Sequence, residues 1–527
     1  MSITRVLVAN RGEIARRVFA TCRRLGIGTV AVYTDHDAAS PHVAEADHRV
    51  WIDSYLDVDS VISAARTSGA DAVHPGYGFL SENADFARAV TDAGLTWIGP
   101  PAAAVSAMGS KIEAKRLMAA AGVAVLAELV PAAVTRAELP VLVKASSGGG
   151  GRGMRVVAEL SELESAIQSA QREADTAFGD PTVFCERYLA RGRHIEVQVM
   201  ADQHGTVWAV GERECSIQRR HQKIIEEAPS PLVQRIPAMR ERLFAAARSA
   251  ATAIGYTGAG TVEFLADDDG EFFFLEMNTR LQVEHPVTEL TTGLDLVELQ
   301  LSVAEGDALP DDPPPTTGHS IEARIYAEDP ARGWQPQPGR IHHFDVPGTT
   351  THFGPLSTTG IRLDSGVVDG SVVSIHYDPM LAKVISWAPT RSRAAQVLAD
   401  ALARTRLHGV TTNRDLLINV LRHPEFLAGH TDTAFFDIHG LIELSTPSAG
   451  EHGVRLSAVA AALAAAAHNR ATATVIAGIP GGFRNVASGD QQKAFRDNNG
   501  GEHRVRYRFT RTGLDLPDDP DIGRSEE

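Results

Sequence analysis

Cysteine is scarce in this 527-residue chain: Cys22, Cys185 and Cys215 are too few and too far apart for a disulfide framework or a thiolate zinc site, so reduced structural thiols are expected. No apolar run approaches the ~20 residues that a membrane-spanning helix needs. The opening Met1-Ser2-Ile3-Thr4-Arg5-Val6-Leu7-Val8 enters a strand pattern without the apolar core of a secretion signal, and the expected compartment is the cytoplasm. Basic residues are outnumbered, 50 Lys and Arg against 66 Asp and Glu, and the resulting net charge of −16 argues against nucleic-acid or membrane-surface binding. At the first strand-to-helix turn, Asn10-Arg11-Gly12-Glu13 lacks the G-x-G-x-x-G fingerprint of dinucleotide binding. What remains, 43% hydrophobic and 22% charged residues, is an ordinary globular composition at a length that implies two to four domains of about 100–200 residues.

The N-terminal third alternates β-branched strands and helices. Arg5 to Asn10, Thr29 to Asp35 and Ala70 to His74 read as strands and Glu13 to Leu25 as a helix, which is the pattern of an open parallel α/β sheet. Pro75-Gly76-Tyr77-Gly78 falls at a strand's carboxyl end, where such sheets place ligands, although a plain turn explains the glycines equally well. Lys111 to Ala121 reads as a helix closed by Gly122, with Lys111 and Lys115 on one solvated face.

The stretch from Val141 to Met154 ends an apolar strand on Lys144 and continues through Ser146-Ser147-Gly148-Gly149-Gly150-Gly151-Arg152-Gly153. A loop nearly free of side chains lets backbone N–H groups close on phosphate oxygens while the lysine supplies a point charge, so nucleotide binding is expected. No Gly-Lys-Ser/Thr follows, which excludes a Walker loop. Strand-like runs at Val183 to Leu189 and His194 to Val199 frame a place for an adenine. Glu212 to Pro229, with Arg219, Arg220, His221 and Lys223, mixes both charge signs in a strand context and suits an anionic substrate.

Glu276-Met277-Asn278-Thr279-Arg280-Leu281-Gln282-Val283-Glu284 organises the rest. Read as extended chain, it points Glu276, Asn278, Arg280, Gln282 and Glu284 to one side. Upstream, Asp267-Asp268-Asp269-Gly270 is a hairpin signal, and a two-residue Asp269-Gly270 loop pairs Glu263 with Glu276. Opposed carboxylates with Cβ atoms about 5 Å apart repel unless a cation lies between them, and a divalent metal site is expected.

Together, the Lys144 to Met154 loop, Glu212 to Pro229 and Phe274 to Glu289 resemble a biotin carboxylase, an ATP-grasp enzyme. The order of motifs is similar to that of the alpha chain of actinobacterial-type acetyl-/propionyl-CoA (acyl-CoA) carboxylases, over roughly Ile3 to Asp437. The resemblance implies a multidomain α/β and α+β chain. Its parts would be an N-terminal parallel α/β domain at 1–110, an ATP-grasp domain at 111–310, a mainly β C-terminal domain at 316–440, and at 445–527 the start of a carboxyltransferase-docking region with a disordered tail. Strands at Ile341 to Val346 and Val372 to Tyr377, a helix at Arg391 to Leu407, a helix at Leu456 to Ala467 and an edge strand at Val505 to Phe509 fit those last two parts.

Carried over residue by residue, Lys111 and Lys144 would hold ATP phosphates, and the loop residues Gly148, Gly149, Gly150, Gly151, Gly153 and Met154 would complete the cofactor site. Glu186 and Leu189 would take the adenine, while His194, Gln218 and His221 would line the nucleotide site. Glu263, Glu276 and Asn278 would bind Mg²⁺ or Mn²⁺. Lys223, Arg280, Gln282 and Val283 would hold bicarbonate, Glu284 would be the general base, and Arg324 would steady deprotonated biotin. The substrates implied are ATP, bicarbonate and biotin; the partners are a biotin carboxyl carrier domain or protein and a carboxyltransferase beta subunit, in a homo- or hetero-oligomer. No methionine is followed by lysine, so the biotin is expected on a carrier outside this sequence. The alternatives are another ATP-grasp ligase or a silent ATP-binding scaffold for a carboxyltransferase.

Overall fold

The computed structural model describes residues 2–130, 133–146, 154–219, 222–475, 478, 489–497, 501–510, 513–519 and 522. Gly148, Gly149, Gly150, Gly151, Gly153 and His221 lie outside them. The chain divides into two compact units, Met1–Thr446 and Pro447–Glu527. Among the described residues no helix is long and apolar enough to cross a membrane.

At the start of the first unit, β-branched strands form a five-stranded parallel sheet in the order His48–Trp51, Gly28–Tyr33, Arg5–Val8, Ala72–His74, Thr96–Trp97. Helix Gly12–Arg24 buries Ile14, Val18, Phe19 and Cys22 against one face of this sheet. At the sheet's carboxyl end Asn10 Nδ2 donates to the carbonyls of Pro75 (2.9 Å) and Tyr77 (2.7 Å). The turn needs glycine at position 76, where φ is +64° and a Cβ would lie 2.8 Å from Asn10 Nδ2.

The centre of the unit is a nine-stranded sheet in the order Phe272–Asn278, Gly258–Ala266, Arg193–Ala201, Val207–Arg219, Gln222–Ala228, His319–Tyr326, Met380–Ala388, Gly360–Ser365, Thr349–His352. It is antiparallel except for its last pair. Because Gln222–Ala228 pairs with His319–Tyr326, strands expected in separate central and C-terminal parts share one hydrogen-bonded surface. Helix Pro237–Ala253 packs Met239, Leu243 and Ala247 onto the Ile195, Val197 and Val199 side, which leaves the opposite, polar side of the central strands for chemistry. A separate four-stranded sheet, in the order Glu128–Leu129, Val183–Arg187, Val141–Ala145, Arg155–Val157, carries Lys144 and Glu186.

Several expected elements differ. Ile341 to Val346 is a strand only at His343–Asp345, and Val372 to Tyr377 only at Val372–Val373, because the segment bends there instead of extending. Helix Arg391–Arg404 stops before Thr405, and Arg406–His408 turns into a strand that pairs with His343–Asp345. In the second unit, helix Glu451–Ala471 covers Val505 and Tyr507 of a three-stranded sheet. There Glu502–Thr510 is the central strand, flanked by Gln491–Arg496 and Gly513–Asp515, not an edge.

A buried histidine makes the first sheet sensitive to acid. His74 accepts from the Gly76 N–H through Nδ1 (2.9 Å) and faces Gln300 through Nε2, and burial pushes its pKa down to about 4. The unfolded chain therefore binds the extra proton first, and stability falls as the pH drops below about 6.5. Between pH 6.5 and 5 we expect about 1.6 kcal/mol less unfolding free energy from this group. Urea unfolding of the wild type and of His74→Asn, whose amide oxygen still accepts from Gly76, checks this; an identical pH slope in the two proteins would refute it.

Candidate active site

Four neighbouring strands place Arg213, Glu196, Glu263 and Glu276 directly opposite one another, in that order, so their side chains form one row across the polar side of the sheet. The Glu263 and Glu276 pairing is the expected one, reached by another route. The hairpin loop holds three residues, closed by the Asp267 N–H donating to the Glu271 carbonyl (2.9 Å), and near the loop Phe264 opposes Phe274. A bulge at Leu275 then restores the register, so that Glu276 faces Glu263.

The extended reading of 276–284 is corrected. The strand ends at Asn278, the chain bends, and helix His285–Thr292 begins directly after Glu284, because Pro286 at its first turn favours helix entry. Bends rather than period-two alternation bring the side chains together. Arg280 donates to Asn278 Oδ1 (3.0 Å), Gln282 Oε1 (3.0 Å) and Glu82 Oε2 (2.9 Å), and Gln282 Nε2 donates to Glu263 Oε1 (3.0 Å).

The Lys223 ammonium sits at the centre and donates to Glu196 Oε2 (2.6 Å), Glu263 Oε1 (2.8 Å) and Glu284 Oε1 (2.6 Å). Burial opposes its charge, but the three carboxylates outweigh burial and push its pKa well above the ordinary lysine value. The other Glu284 oxygen takes Arg324 at 2.9 Å, and Arg324 also pairs with Glu226 at 2.5 Å. Burial would raise the Glu284 pKa; Lys223, Arg324 and Arg213 instead hold it well below the usual carboxylate range. Burial likewise drives Glu226 upward, to about 7, in spite of Arg324. His194 Nε2 lies 2.9 Å from Glu263 Oε2. Gln218 is half-buried and opposes Lys223 in register. The Val283 carbonyl accepts from Lys383 at 2.7 Å.

A second group forms around Glu186, whose two oxygens pair with Lys144 and Lys115. Lys115, expected on a solvated face, is buried and lies over the Phe184 ring. Lys111 opens the helix Lys111–Ala120, and its backbone N–H donates to the Ser146 carbonyl (3.0 Å). Leu189 and Met154 are half-buried, and no hydrogen bond of their own ties them to either group among the described residues.

The opposed carboxylates fit a hard divalent cation. Burial and the charge of Glu263 raise the Glu276 pKa, with Lys111 and Lys144 working against that rise, so charge neutralisation at this pair favours a metal. Asn278 fits less directly: its Nδ2 donates to Glu263 (2.8 Å) and its Oδ1 faces Arg280, so the amide must turn over to offer oxygen to a shared ion.

Sequence reasoning gave no site role to Glu196, Arg213, Lys115, Glu82, Glu226 or Lys383. For Glu196 a signal existed: His194, Glu196 and Gln198 alternate with Ile195, Val197 and Val199, which marks a polar face on a strand buried from end to end. Arg213 and Lys115 gave none, since their burial depends on partners 17 and 71 residues away.

Three family models match in succession: "Biotin carboxylase, N-terminal domain" over residues 2–105, "Carbamoyl-phosphate synthase L chain, ATP binding domain" over 103–312 and "Biotin carboxylase C-terminal domain" over 322–438. The mitochondrial methylcrotonoyl-CoA carboxylase subunit alpha of Glycine max is 48% identical over 453 residues, covering 82% of this chain and 60% of that protein. The biotin carboxylase of Halalkalibacterium halodurans is 47% identical over 452 residues, 82% of this chain and 97% of its own length. Among solved structures, the biotin carboxylase domain dimer of Hydrogenobacter thermophilus 2-oxoglutarate carboxylase, in complex with MgADP, ADP and bicarbonate, superposes with a TM-score of 0.80 at 40% identity, covering 85% of this chain and all of that one. The chain thus spans 60% of the length of the first of these relatives, an alpha subunit.

Replacing one carboxylate of the opposed pair tests the metal reading. Glu276→Gln is expected to weaken Mn²⁺ binding about tenfold or more while the thermal midpoint stays within a few degrees, because the substitution removes a ligand charge and relieves repulsion from Glu263. Unchanged Mn²⁺ affinity, measured by electron paramagnetic resonance titration, would rule the pair out as the cation site.

Proposed function

The chain belongs to the biotin carboxylase family, and from that premise we propose that it carboxylates biotin with ATP and bicarbonate as the biotin carboxylase component of an acyl-CoA carboxylase. One observation carries the reading: Lys223 and Arg324 grip the two oxygens of Glu284, while Arg280 and Gln282 stand beside them. That arrangement offers one ionised base inside a set of anion-binding donors. The similarity to a domain solved with MgADP and bicarbonate supports it.

In this reading residues 1–110, 111–310 and 316–440 are the N-terminal, ATP-grasp and C-terminal parts, and 445–527 opens a carboxyltransferase-docking region. Lys111, Lys144 and the glycine loop Gly148, Gly149, Gly150, Gly151 and Gly153 hold the phosphates; Met154, Glu186, Leu189, His194, Gln218 and His221 line the nucleotide. Arg280 forks bicarbonate, with Lys223, Gln282 and the Val283 backbone as further donors. Glu284 takes the bicarbonate proton as a bicarbonate oxygen attacks the γ-phosphorus of ATP; the bond to ADP breaks and carboxyphosphate forms. Positioning and charge compensation supply most of the rate. A divalent cation at Glu263 and Glu276, with Asn278, would neutralise charge on the transferring phosphoryl group. Carboxyphosphate then gives CO₂ and phosphate, the phosphate accepts the ureido proton, and Arg324 stabilises the enolate-like oxygen while the nitrogen attacks CO₂.

The substrate biotin is assigned to a carrier domain or protein and the onward transfer to a carboxyltransferase beta subunit, in line with the alpha-subunit relatives. The three cysteines are free and buried, which suits a reducing compartment, and we assign the cytoplasm.

Glu284→Gln is expected to lower bicarbonate-dependent ATP cleavage by about 10²–10⁴-fold and to leave the Kd for ATP within about threefold, since a general base acts in the transition state. Coupled-enzyme detection of ADP with and without bicarbonate and biotin measures the first quantity, and fluorescent-nucleotide displacement the second. A loss of ATP affinity that accounts for the whole loss of turnover would remove Glu284 from the base role.

A further inference from the structure

Strand Met380–Ala388 lies between His319–Tyr326 and Gly360–Ser365, and its Lys383 opposes Arg324 on one side and Asp364 on the other. Two cations set directly opposite each other on adjacent strands repel, and both are buried, so the arrangement needs a compensating reason. They hold the same turn. Arg324 takes the Glu284 carboxylate, and Lys383 Nζ donates to the carbonyl of Val283, one residue earlier, at 2.7 Å.

We propose that Lys383 is a positioning residue that fixes the Val283–Glu284 peptide plane and thereby aims the Glu284 carboxylate. The inference rests on the biotin carboxylase reading above. The Val283 carbonyl carbon is bonded to the Glu284 nitrogen, so rotation of that plane swings the Glu284 side chain away from Lys223. Glu284 makes no side-chain cap at the start of helix His285–Thr292, so the helix itself does not orient its carboxylate. The neighbouring carbonyl is held locally, with His285 Nδ1 2.7 Å from the Gln282 oxygen; the Val283 carbonyl is held from 100 residues away.

Lys383 is itself fixed. Its ammonium lies 2.9 Å from Glu13 Oε1 at the start of helix Gly12–Arg24 and 3.9 Å from Asp364 Oδ2. Glu13 also accepts the Tyr77 hydroxyl. A lysine needed only to neutralise Glu13 and Asp364 would satisfy those carboxylates without reaching the turn. The third contact, to a main-chain oxygen beside the proposed base, distinguishes positioning from neutralisation.

Two substitutions separate the roles. Lys383→Arg keeps the charge for Glu13 and Asp364 but replaces a single point donor with a planar fork; Lys383→Met removes the donor and leaves two buried carboxylates without it. If Lys383 positions Glu284, kcat for bicarbonate-dependent ATP cleavage falls about 100-fold in Lys383→Met and about tenfold in Lys383→Arg per folded molecule, with the Kd for ATP unchanged. Amide exchange at Glu284 and His285 becomes faster in both. A kcat in Lys383→Arg within about threefold of wild type, with unchanged exchange, overturns the inference, as does ATP affinity lost in step with kcat. Should Lys383→Met fail to fold, Lys383→Arg decides by the same criteria. A wild type whose ATP cleavage ignores bicarbonate and biotin would overturn the functional reading instead, and the exchange rates at Glu284 and His285 would then still decide the role of Lys383.

Discussion

A single buried ammonium, that of Lys223, holds together three carboxylates that would otherwise repel one another or take up protons. Glu196, Glu263 and Glu284 come from two strands and a turn, and each brings a charge into a part of the protein with almost no solvent. Removing one partner from such a cluster leaves an uncompensated buried charge, a loss on the order of 3–5 kcal/mol. The neighbours are arranged accordingly. Arg213 takes Glu196 at 2.5 Å, the amides of Asn278 and Gln282 donate to Glu263, and Arg324 takes the far oxygen of Glu284. Register is what the cluster demands of the fold, because slipping strand Arg193–Ala201 or strand Gly258–Ala266 by a residue turns Glu196 or Glu263 to the apolar face beneath helix Pro237–Ala253.

That dependence on register explains what the amino-acid sequence revealed and what it hid. Glu263 and Glu276 were legible as a pair because a hairpin sets register locally, yet the route differed: a loop one residue longer was compensated by a bulge at Leu275. Strand-to-helix order in the N-terminal sheet was legible for the same local reason. Arg280 and Gln282 do meet, and Gln282 and Glu284 share the Glu263–Lys223 cluster, but not through the expected extended geometry, which Pro286 and the helix following it do not permit. Contacts set by distant pairing stayed hidden. Lys115 looked like half of a solvated i, i+4 pair, and only the packing of helix Lys111–Ala120 near strand Val183–Arg187 turns it toward Glu186. Glu226 and Lys383 belong to strands whose neighbours cannot be read from periodicity.

The nine-stranded sheet also changes how the parts of the first unit relate. Sequence motifs divide it into segments, and the family models match three successive stretches. The backbone hydrogen bonds nevertheless run without interruption from Phe272–Asn278 to Thr349–His352. Residues as far apart as Glu13, Val283 and Lys383 meet within hydrogen-bonding distance. The turn that carries Glu284 is thus tied to helix Gly12–Arg24 and to strand Met380–Ala388 through Lys383.

In the proposed reaction this network imposes a particular compromise on Glu284. Lys223 and Arg324 keep its carboxylate ionised, the state a base requires, but the same cations lower its basicity, and proton transfer from bicarbonate is correspondingly less favourable in the ground state. The balance shifts when the anion arrives. Lys223, which donates to Glu284, then has a second carboxylate-like partner to serve, so its hold on Glu284 weakens as bicarbonate binds, and the proton moves as the new bond to phosphorus removes negative charge from the attacking oxygen. A buried base tuned in this way stays unprotonated at neutral pH before substrate arrives, and in the proposed reaction it gains strength only with substrate in place. Fixed orientation is then worth more than intrinsic basicity, which is why the peptide plane behind Glu284 is held by a buried lysine from another strand.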